Sequence, residues 1–296
     1  MKITLTGSLG NISKPMAEIL IKAGHDLTII SSEPDMKAKI EALGARGAIG
    51  SVADITFLTN TFKDADAVYT MVPYNFKVTT SYRQYVAGIG NNYATAIKAT
   101  GVNRVVNLSS IGAHLENGTG PITGLHDVEQ ILNRLDNVAV KHLRPAIFYI
   151  NFYFDIPLIK RQNIMGNNYS KDARLVMTHP RDVAAVAASE LQQSFPGKSY
   201  RYIASDEQRI SDIVKILGRA IEKPKLPWVQ YTDEQTFAGM TMSGIMPPTI
   251  ANLYVELGTA IDRGILWEDY DRNKPESLGN TKLVDFAKEF AAVYNN

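Results

Sequence analysis

A short glycine turn near the N-terminus carries the clearest chemical signal in this sequence. Gly7 and Gly10 follow the strand-like residues 2–6, and Ser13 takes the third position of the same spacing. Glycine permits backbone torsions and close approaches that a Cβ would block, and a helix that begins here directs unpaired N–H groups at an anion. An ordinary strand-to-helix turn is the alternative interpretation. The turn predicts a diphosphate site made by Gly7, Ser8, Leu9, Gly10, Asn11 and Ile12.

The hydrophobic pattern predicts the elements that must position this turn. Residues 2–6 and 27–32 have the β-branched composition of strands, whereas apolar residues between 16 and 23 recur at helical spacing. Gly24 stands where a helix C-terminal cap belongs. Glycines at this spacing are weak indicators alone and become specific when a strand–helix–strand unit surrounds them, as it does here.

Strands and helices continue to alternate through the N-terminal half of the chain. This alternation predicts an α/β fold with a doubly wound parallel sheet. In such a sheet, ligands bind beyond the carboxyl ends of the strands. The predicted strands are 45–50, 67–73, 105–110 and 200–204, and the predicted helices are 36–43, one that begins after an N-cap at Asp54, about Thr80 to Thr100, 251–261 and 283–294.

Composition excludes several classes of protein and site. The chain has 296 residues, 45% hydrophobic and 21% charged, and a net charge of +1, which is typical of a soluble globular protein without a nucleic-acid or membrane partner. It has no cysteine, so disulfides, thiolate metal sites and cysteine nucleophiles are excluded, and we expect no metal site. Met1 leads directly into a predicted strand, so we expect no signal peptide and a cytoplasmic location.

The end of the second predicted strand bears on the choice of cofactor. In dinucleotide folds, an acid at this place binds the ribose 2′-OH of NAD, and a basic residue accepts the 2′-phosphate of NADP. Ser31 and Ser32 are neither. Hydroxyls here, with Lys14 or Lys37 nearby, suit a phosphate and favour NADP over NAD. A bond from Glu33 to a ribose hydroxyl is the alternative.

Several short motifs occur in a fixed order along the chain. They are Thr6-Gly7-x-x-Gly10, Ala23-Gly24-His25, Ala99-Thr100-Gly101-Val102, Ser109-Ser110-x-Gly112-Ala113, Val128-Glu129-x-x-Leu132, Leu143-Arg144-Pro145 and His179-Pro180-Arg181-Asp182. Together they resemble the NmrA-like, atypical branch of the short-chain dehydrogenase/reductase superfamily over about residues 3–220. The resemblance implies a Rossmann domain that binds NAD(P), a smaller C-terminal substrate region and a cleft between them. Relatives include quinone reductases, triphenylmethane-dye reductases, isoflavone-type reductases and redox sensors without clear catalysis.

The resemblance also implies a division of the chain and a set of cofactor contacts. We expect residues 1–154 and 179–205 to form the NAD(P)-binding domain, and residues 155–178 and 206–296 to form the smaller substrate and lid region. The resemblance implies that Ser31 and Ser32 flank the adenosine ribose, and that Ser109 and Pro145 approach the nicotinamide. Beyond the glycine turn, the expected cofactor-binding residues are Ser31, Ser32, Lys37, Ser51, Val52, Met71, Val72, Pro73, Ser109, Ser110 and Pro145.

The usual proton relay of the superfamily is missing from this sequence. Typical members use a serine with Tyr-x-x-x-Lys on one helix face, where a nearby cation lowers the pKa of the tyrosine acid. After Ser109 and Ser110, the corresponding region reads Gly124-Leu125-His126-Asp127 and contains neither residue. His126 is the candidate catalytic residue, because a histidine can donate a proton near neutral pH. A surface or cap-region histidine beside Asp127 is the alternative.

An aromatic run follows Pro145. Five of the seven residues 148–154 are aromatic, which predicts either a flat wall for a planar substrate or buried interdomain core. The methionine-rich residues 237–248 predict an adaptable lid, with a plain helix–loop–helix as the alternative. The candidate substrate residues are Tyr74, Phe148, Phe152 and Met242.

The sequence therefore predicts an NAD(P)H-dependent oxidoreductase that transfers a hydride to a small, planar, apolar acceptor such as a quinone or dye. The cofactor supplies most of this chemistry, so the missing relay argues more strongly against an alcohol dehydrogenase than against a quinone reductase. The alternative is a non-catalytic NAD(P) redox sensor of the NmrA type that acts on a protein partner. A nucleotide-sugar epimerase is disfavoured because it needs Tyr-x-x-x-Lys. We expect a monomer or homodimer.

Overall fold

The computed structural model describes residues 1–78, 81–242, 244 and 246–296. Three short 3-10 helices supplement its strands and α-helices, at Gly120–Ile122, Tyr149–Asp155 and Ile265–Trp267. The strands are β1 (Lys2–Leu5), β2 (Asp26–Ser31), β3 (Arg46–Ile49), β4 (Ala67–Thr70), β5 (Arg104–Leu108), β6 (Ala139–Pro145), β7 (Ile147–Phe148), β8 (Met165–Asn167), β9 (Arg174–Thr178), β10 (Lys198–Ile203), β11 (Asp206–Arg209) and β12 (Trp228–Gln230). The α-helices are α1 (Ser13–Lys22), α2 (Met36–Ala42), α3 (Ile55–Phe62), α4 (Tyr82–Thr100), α5 (Thr123–Asn133), α6 (Ile156–Gln162), α7 (Pro180–Gln192), α8 (Ile210–Ala220), α9 (Asp233–Met242), α10 (Pro248–Arg263), α11 (Glu268–Arg272) and α12 (Leu283–Asn295).

Seven strands form one parallel sheet in the order β10-β6-β5-β4-β1-β2-β3. The chain builds outward from β1 through β2 and β3, then returns to the other side of β1 and builds outward from β4. The order of strands therefore reverses between β1 and β4, and the crevice beyond their carboxyl ends is where such sheets bind ligands. The predicted doubly wound α/β fold is confirmed.

Helices cover both faces of this sheet and create two separate apolar cores. On one face, Met16 and Leu20 of α1 pack with Ala184 and Ala188 of α7. On the other face, α3, α4 and α5 pack together, and Tyr93 of α4 is fully buried there. The central strands are consequently apolar on both faces, as expected for parallel strands between two helical layers.

The C-terminal part of the chain forms a third core and also packs against the helical layer of α3, α4 and α5. The third core is lined mainly by the 3-10 helix Tyr149–Asp155 and by α8 and α12. Ile250 and Ala251 of α10 instead join the core beneath α4. The helix α10 packs so closely on the 3-10 helix at Gly120–Ile122 that a Cβ at Gly120 would lie on the backbone of Leu253. Residues from both predicted regions therefore meet directly.

Several predicted boundaries differ from the observed ones for local reasons. The predicted strand 67–73 ends at Thr70, because the Met71 N–H donates to the Thr6 hydroxyl rather than to a neighbouring strand. The long helix begins at Tyr82, and Thr80 lies outside the described residues. The two small sheets, β11-β9-β7 and β12-β8, were not expected from the sequence. Along the described residues, no helix combines the length and apolarity needed to cross a membrane.

Candidate functional site

The glycine turn lies at the reversal point of the sheet. Gly7 has φ +92°, and a Cβ there would lie 2.7 Å from the Ser13 Oγ and 3.1 Å from the Met71 Cγ. Ser13 begins α1 and donates its hydroxyl to the Thr6 carbonyl at 3.0 Å. The serine at the third glycine position therefore fastens the helix to β1. Ser13 and Met71 pack against the turn so tightly that it has no room for a side chain at Gly7.

The start of α1 has the donors that an anion requires. Its N-cap is Ile12, which offers no side-chain cap. Within the described chain, the backbone N–H groups of Asn11, Ile12 and Ser13 donate no hydrogen bond, whereas Lys14 already bonds to Gly10 at 3.0 Å. Unpaired N–H groups at the positive end of a helix dipole bind phosphate oxygens well. This geometry fits the diphosphate of a dinucleotide.

The end of β2 is tied directly to the glycine turn. The Ser8 hydroxyl donates to the Ser31 Oγ at 3.0 Å, and the Ser8 N–H donates to the Ile30 carbonyl at 3.0 Å. The Gly50 N–H, just after β3, donates to the Ser31 carbonyl at 2.9 Å. Ser31 is therefore buried and holds three segments together, while Ser32 is exposed. The expected contact residues after β1, β2 and β3 do lie at one edge of the sheet.

The expected cofactor residues on the outer side of this edge are accessible. Lys37 is exposed on α2 and packs against Gly47 of β3. Ser51 is also exposed, and its hydroxyl accepts from the Ala53 N–H at 3.1 Å. The Val52 carbonyl accepts from the Asn92 side chain of α4 at 3.3 Å. The roles of these residues toward a cofactor stay predictions.

Tyrosines of α4 hold the segment that leaves β4. The Tyr93 hydroxyl donates to the Met71 carbonyl at 2.6 Å, and the Tyr85 hydroxyl donates to the Pro73 carbonyl at 3.0 Å. The expected cofactor contacts Met71, Val72 and Pro73 are thus fixed in place and partly exposed. Sequence reasoning missed both tyrosines. Their spacing of eight residues places both tyrosines on one face of the predicted helix, and this spacing could have identified them as a pair.

A buried ionic cluster lies at the carboxyl ends of β5 and β6. The Ser109 hydroxyl donates to the Glu129 Oε1 at 2.5 Å, and Arg144 binds both carboxylate oxygens of Glu129, at 3.0 and 2.7 Å. Arg144 also donates to the Asp269 carboxylate at 3.1 Å, which accepts from the Tyr202 hydroxyl at 2.6 Å. Burial opposes the charge on Arg144, but the hydrogen bonds and charge of Glu129 outweigh it and raise its pKa.

Ser109, the serine that corresponds to the one in the proton relay of typical short-chain dehydrogenases, belongs to this cluster. Ser109 is buried, and its hydroxyl bonds to a carboxylate that already pairs with Arg144. Pro145, the next residue along β6, is also buried. Ser110 is partly exposed and is the more accessible of the two serines. The contacts of Ser109, Ser110 and Pro145 with a nicotinamide stay predictions.

His126 lies in the first turns of α5, close to the loop after β5. Its Nδ1 is 2.9 Å from the Ala113 carbonyl, so this nitrogen carries the proton and donates. The other ring nitrogen, Nε2, is the one that could contact a ligand. Asp127 does not pair with His126; it binds Arg83 at 2.6 and 2.7 Å, and these bonds lower the pKa of its carboxyl. A catalytic role for His126 stays a prediction.

The expected substrate residues have different environments. Phe152 is only 6% exposed and packs in the C-terminal core, so the buried-core interpretation describes its present contacts. Phe148, in β7, is partly buried. Met242, at the end of α9, is 87% exposed. Tyr74 is 68% exposed, and its ring centroid lies 6.1 Å from that of Phe76.

Sequence reasoning also missed a titratable carboxyl at the end of the aromatic segment. Asp155 ends the 3-10 helix Tyr149–Asp155, and among the described residues its carboxylate accepts no hydrogen bond. Burial by the surrounding chain raises the pKa of this partly exposed carboxyl to about 7. Among the described residues, no group of three potential metal-binding side chains comes together.

Comparison with known sequences agrees with this geometry. Residues 7–141 match the model of a family described as NAD(P)H-binding. The matched range runs from the glycine turn into β6 and contains every segment of the crevice except Pro145. The Rossmann fold predicted for this part of the chain is confirmed, and the match supports its interpretation as an NAD(P)-binding unit. No curated protein sequence matches the chain.

Solved structures resemble the chain over nearly its whole length. An NADPH-dependent quinone oxidoreductase from Escherichia coli, complexed with NADPH, has a TM-score of 0.82 at 19% identity, covering 97% of this chain and 99% of that one. The triphenylmethane reductase of Citrobacter sp., complexed with NADP(H), has 0.80 at 16%, covering 98% and 100%. A nucleoside-diphosphate-sugar epimerase from Staphylococcus aureus has 0.78 at 16%, covering 97% and 100%. Likeness at such identities establishes the fold.

Proposed function

We propose that this chain is an NAD(P)H-dependent oxidoreductase of the NmrA-like branch, and that its hydride acceptor is a small, planar, uncharged molecule such as a quinone or dye. The observation that carries the proposal is the turn from Gly7 to Ser13. It combines a backbone with no room for a Cβ and three unpaired N–H groups at the start of a helix. A diphosphate fits both features.

The cofactor that fits best is NADP(H). No acid ends β2 at the place where NAD-binding chains carry one. Ser32 and Lys37 are both exposed near this end, so a hydroxyl and a cation are available to a 2′-phosphate. The structural neighbours described with NADPH or NADP(H) support the same choice.

The chain's own groups bind and orient rather than relay protons. When bound, the cofactor supplies the hydride. The Tyr85 and Tyr93 hydroxyls hold the wall of the crevice at Met71 and Pro73. Ser109 is tied to Glu129, and the helix α5 lacks the tyrosine and lysine of a relay. Reduction of a ketone needs a proton from the enzyme for the alkoxide that forms, whereas reduction of a quinone does not. A quinone therefore suits this site better than a ketone.

A non-catalytic redox sensor is the second candidate. The hydrogen bond from Ser109 to Glu129, which also binds Arg144, favours the sensor. The serine hydroxyl that many relatives direct at substrate is bonded here to a carboxylate of the chain itself. The two candidates differ in turnover. Steady oxidation of NADPH when quinones are added, measured from the nicotinamide absorbance, supports the reductase. Tight NADPH binding without oxidation by any quinone or dye supports the sensor.

A further inference from the structure

An aromatic cluster bridges the chain after β4 and the C-terminal helix α10. We call Tyr74, Phe76, Tyr82 and Tyr254 the tyrosine cluster. The Phe76 ring lies 6.1 Å from Tyr74 and 6.4 Å from Tyr254, the latter edge-on at 85°. Tyr254 belongs to α10, and Tyr82 is the first residue of α4. The cluster begins one residue beyond Pro73, where the expected cofactor path ends.

The hydroxyls of this cluster differ from those of the other α4 tyrosines. Tyr85 and Tyr93 donate to backbone carbonyls. Along the part of the chain that the structure describes, the hydroxyls of Tyr74, Tyr82 and Tyr254 make no hydrogen bond. Tyr82 is nevertheless only 8% exposed. A buried tyrosine usually bonds its hydroxyl to a partner, so the free donor of Tyr82 is the unusual one. Tyr254 is partly exposed and Tyr74 is exposed, and their hydroxyls are likewise available to a ligand.

Tyr82 packs in the apolar core that Phe76 and Tyr254 border, and the hydroxyls of Tyr82 and Tyr254 stay protonated. Burial, followed by the neighbouring Tyr74 and Tyr254 hydroxyls, raises the pKa of Tyr82 above its ordinary value. Burial and then Tyr74 raise the pKa of Tyr254 in the same way. Both side chains are therefore neutral hydrogen-bond donors across the physiological pH range. Because the cluster consists of flat rings and neutral donors, it favours a flat, uncharged ligand with acceptor oxygens.

We propose that Tyr74, Tyr82 and Tyr254 form the acceptor subsite, where the rings contact a planar quinone and the hydroxyls donate hydrogen bonds to its carbonyl oxygens. This inference rests on the proposed function. Reduction of a quinone takes two electrons and one proton as a hydride from the bound dihydronicotinamide, which becomes oxidised. The negative charge then lies on a quinone oxygen, where the tyrosine hydroxyls stabilise it by hydrogen bonding. Solvent supplies the second proton and completes the hydroquinone.

The subsite predicts a binding pattern that does not depend on turnover. The probe is menadione, titrated calorimetrically into the protein in the presence of NADP⁺. Tyr82→Phe and Tyr254→Phe each remove one donor and keep the ring, so each weakens menadione binding about 3- to 10-fold. Tyr294→Phe, the same change on the distant helix α12, leaves the affinity unchanged. The affinity for NADPH is unchanged in all three variants.

A second ligand separates hydrogen bonding from ring contact. The compound 2-methylnaphthalene has the shape of menadione without its carbonyls. It binds more weakly than menadione to the unmodified protein, and Tyr82→Phe and Tyr254→Phe leave its affinity unchanged. If both variants bind menadione as the unmodified protein does, or if the unmodified protein does not bind menadione, the subsite is wrong.

The outcomes for the subsite and for the proposed function remain distinguishable. If the variants lose menadione affinity but no acceptor oxidises NADPH, the subsite stands and the reductase function fails. If menadione oxidises NADPH with the unmodified protein and the variants keep full affinity, the function stands and the acceptor binds elsewhere.

Discussion

The Ser109 hydroxyl donates a 2.5 Å hydrogen bond to Glu129, joining the end of β5 to the buried face of α5. Glu129 in turn binds Arg144 through both carboxylate oxygens. All three side chains are buried. Glu129 therefore neutralises a buried guanidinium and at the same time accepts the hydrogen bond of the Ser109 hydroxyl. Under the proposed function, this relationship leaves orientation of the cofactor and acceptor, rather than proton relay, as the chain's contribution.

Removal of Glu129 should destabilise the fold strongly. Among the described residues, Glu129→Ala leaves the buried Arg144 charge with Asp269 as its one charged partner. We expect a loss of about 3–5 kcal/mol in the free energy of unfolding. Urea unfolding followed by circular dichroism measures this. Asp127→Ala on the same helix is the matched control. It breaks a partly exposed pair with Arg83 and should cost at most about 1 kcal/mol. Equal losses in the two variants would contradict the account.

His142 should make stability depend on pH. It accepts from the Asn107 side chain at 3.1 Å and donates to the Asn133 side chain at 3.0 Å, so the folded chain holds it neutral. Burial lowers its pKa from 6.5 to about 4. The unfolded chain therefore binds the proton first as the pH falls, and stability present above about pH 6.5 is lost between there and about pH 4.

The size of this effect can be isolated with a variant. Between pH 7.5 and pH 5, His142 should account for a loss of roughly 2 kcal/mol in the free energy of unfolding. Carboxyl groups also titrate in this range, so the measured quantity is the difference in pH dependence between the unmodified protein and His142→Gln. The variant should show the shallower dependence. Identical slopes would mean that His142 is not held neutral in the folded state.

An acid beside the expected 2′-phosphate should reverse the cofactor preference. Ser32 is exposed just after β2, so Ser32→Asp adds a carboxylate without disturbing the core. We expect NADPH binding to weaken about 10-fold or more through charge repulsion, with NADH binding unchanged or improved. Ser277→Asp, an exposed serine between α11 and α12, should change neither affinity. Equal weakening of NADPH and NADH would place the 2′-phosphate elsewhere.

Crowding of the glycine turn should abolish dinucleotide binding. Gly7→Ala adds a Cβ 2.7 Å from the Ser13 Oγ at a residue with φ +92°. We expect at least about 100-fold weaker NADPH binding and a stability loss of about 1–3 kcal/mol. Gly24→Ala is the matched control. It has φ +82° with no atom within 4 Å of the new Cβ, so it should bear the backbone strain and keep NADPH affinity.

Local signals in the sequence predicted the elements around the crevice well. Asp54 caps α3 by accepting from the Phe57 N–H at 3.0 Å, and Gly24 follows the end of α1 with a positive φ, both as predicted. These features depend on the type of one residue and its immediate neighbours. For the same reason, the glycine turn could be interpreted before any fold was known.

Contacts between distant segments could not be predicted in this way. The pair of Arg144 with Asp269 joins residues 125 positions apart, and no local pattern marks it. Tyr254 reaches Phe76 only because α10 folds back onto the layer of α4. Phe152 was expected in a pocket, but it lies in the C-terminal core. An aromatic residue is equally compatible with either position. Burial by other elements decides between such alternatives.

The most direct test of the central claim is a titration of the protein with NADPH and with NADH, followed by fluorescence, and then the addition of menadione to the same sample. We predict saturable binding of both cofactors, tighter for NADPH, and continuous oxidation of the bound and free NADPH once menadione is present. Failure to bind either nucleotide would contradict the dinucleotide site at Gly7–Ser13 and with it the whole account. Binding without oxidation by menadione or by a panel of dyes would contradict the reductase and support the sensor.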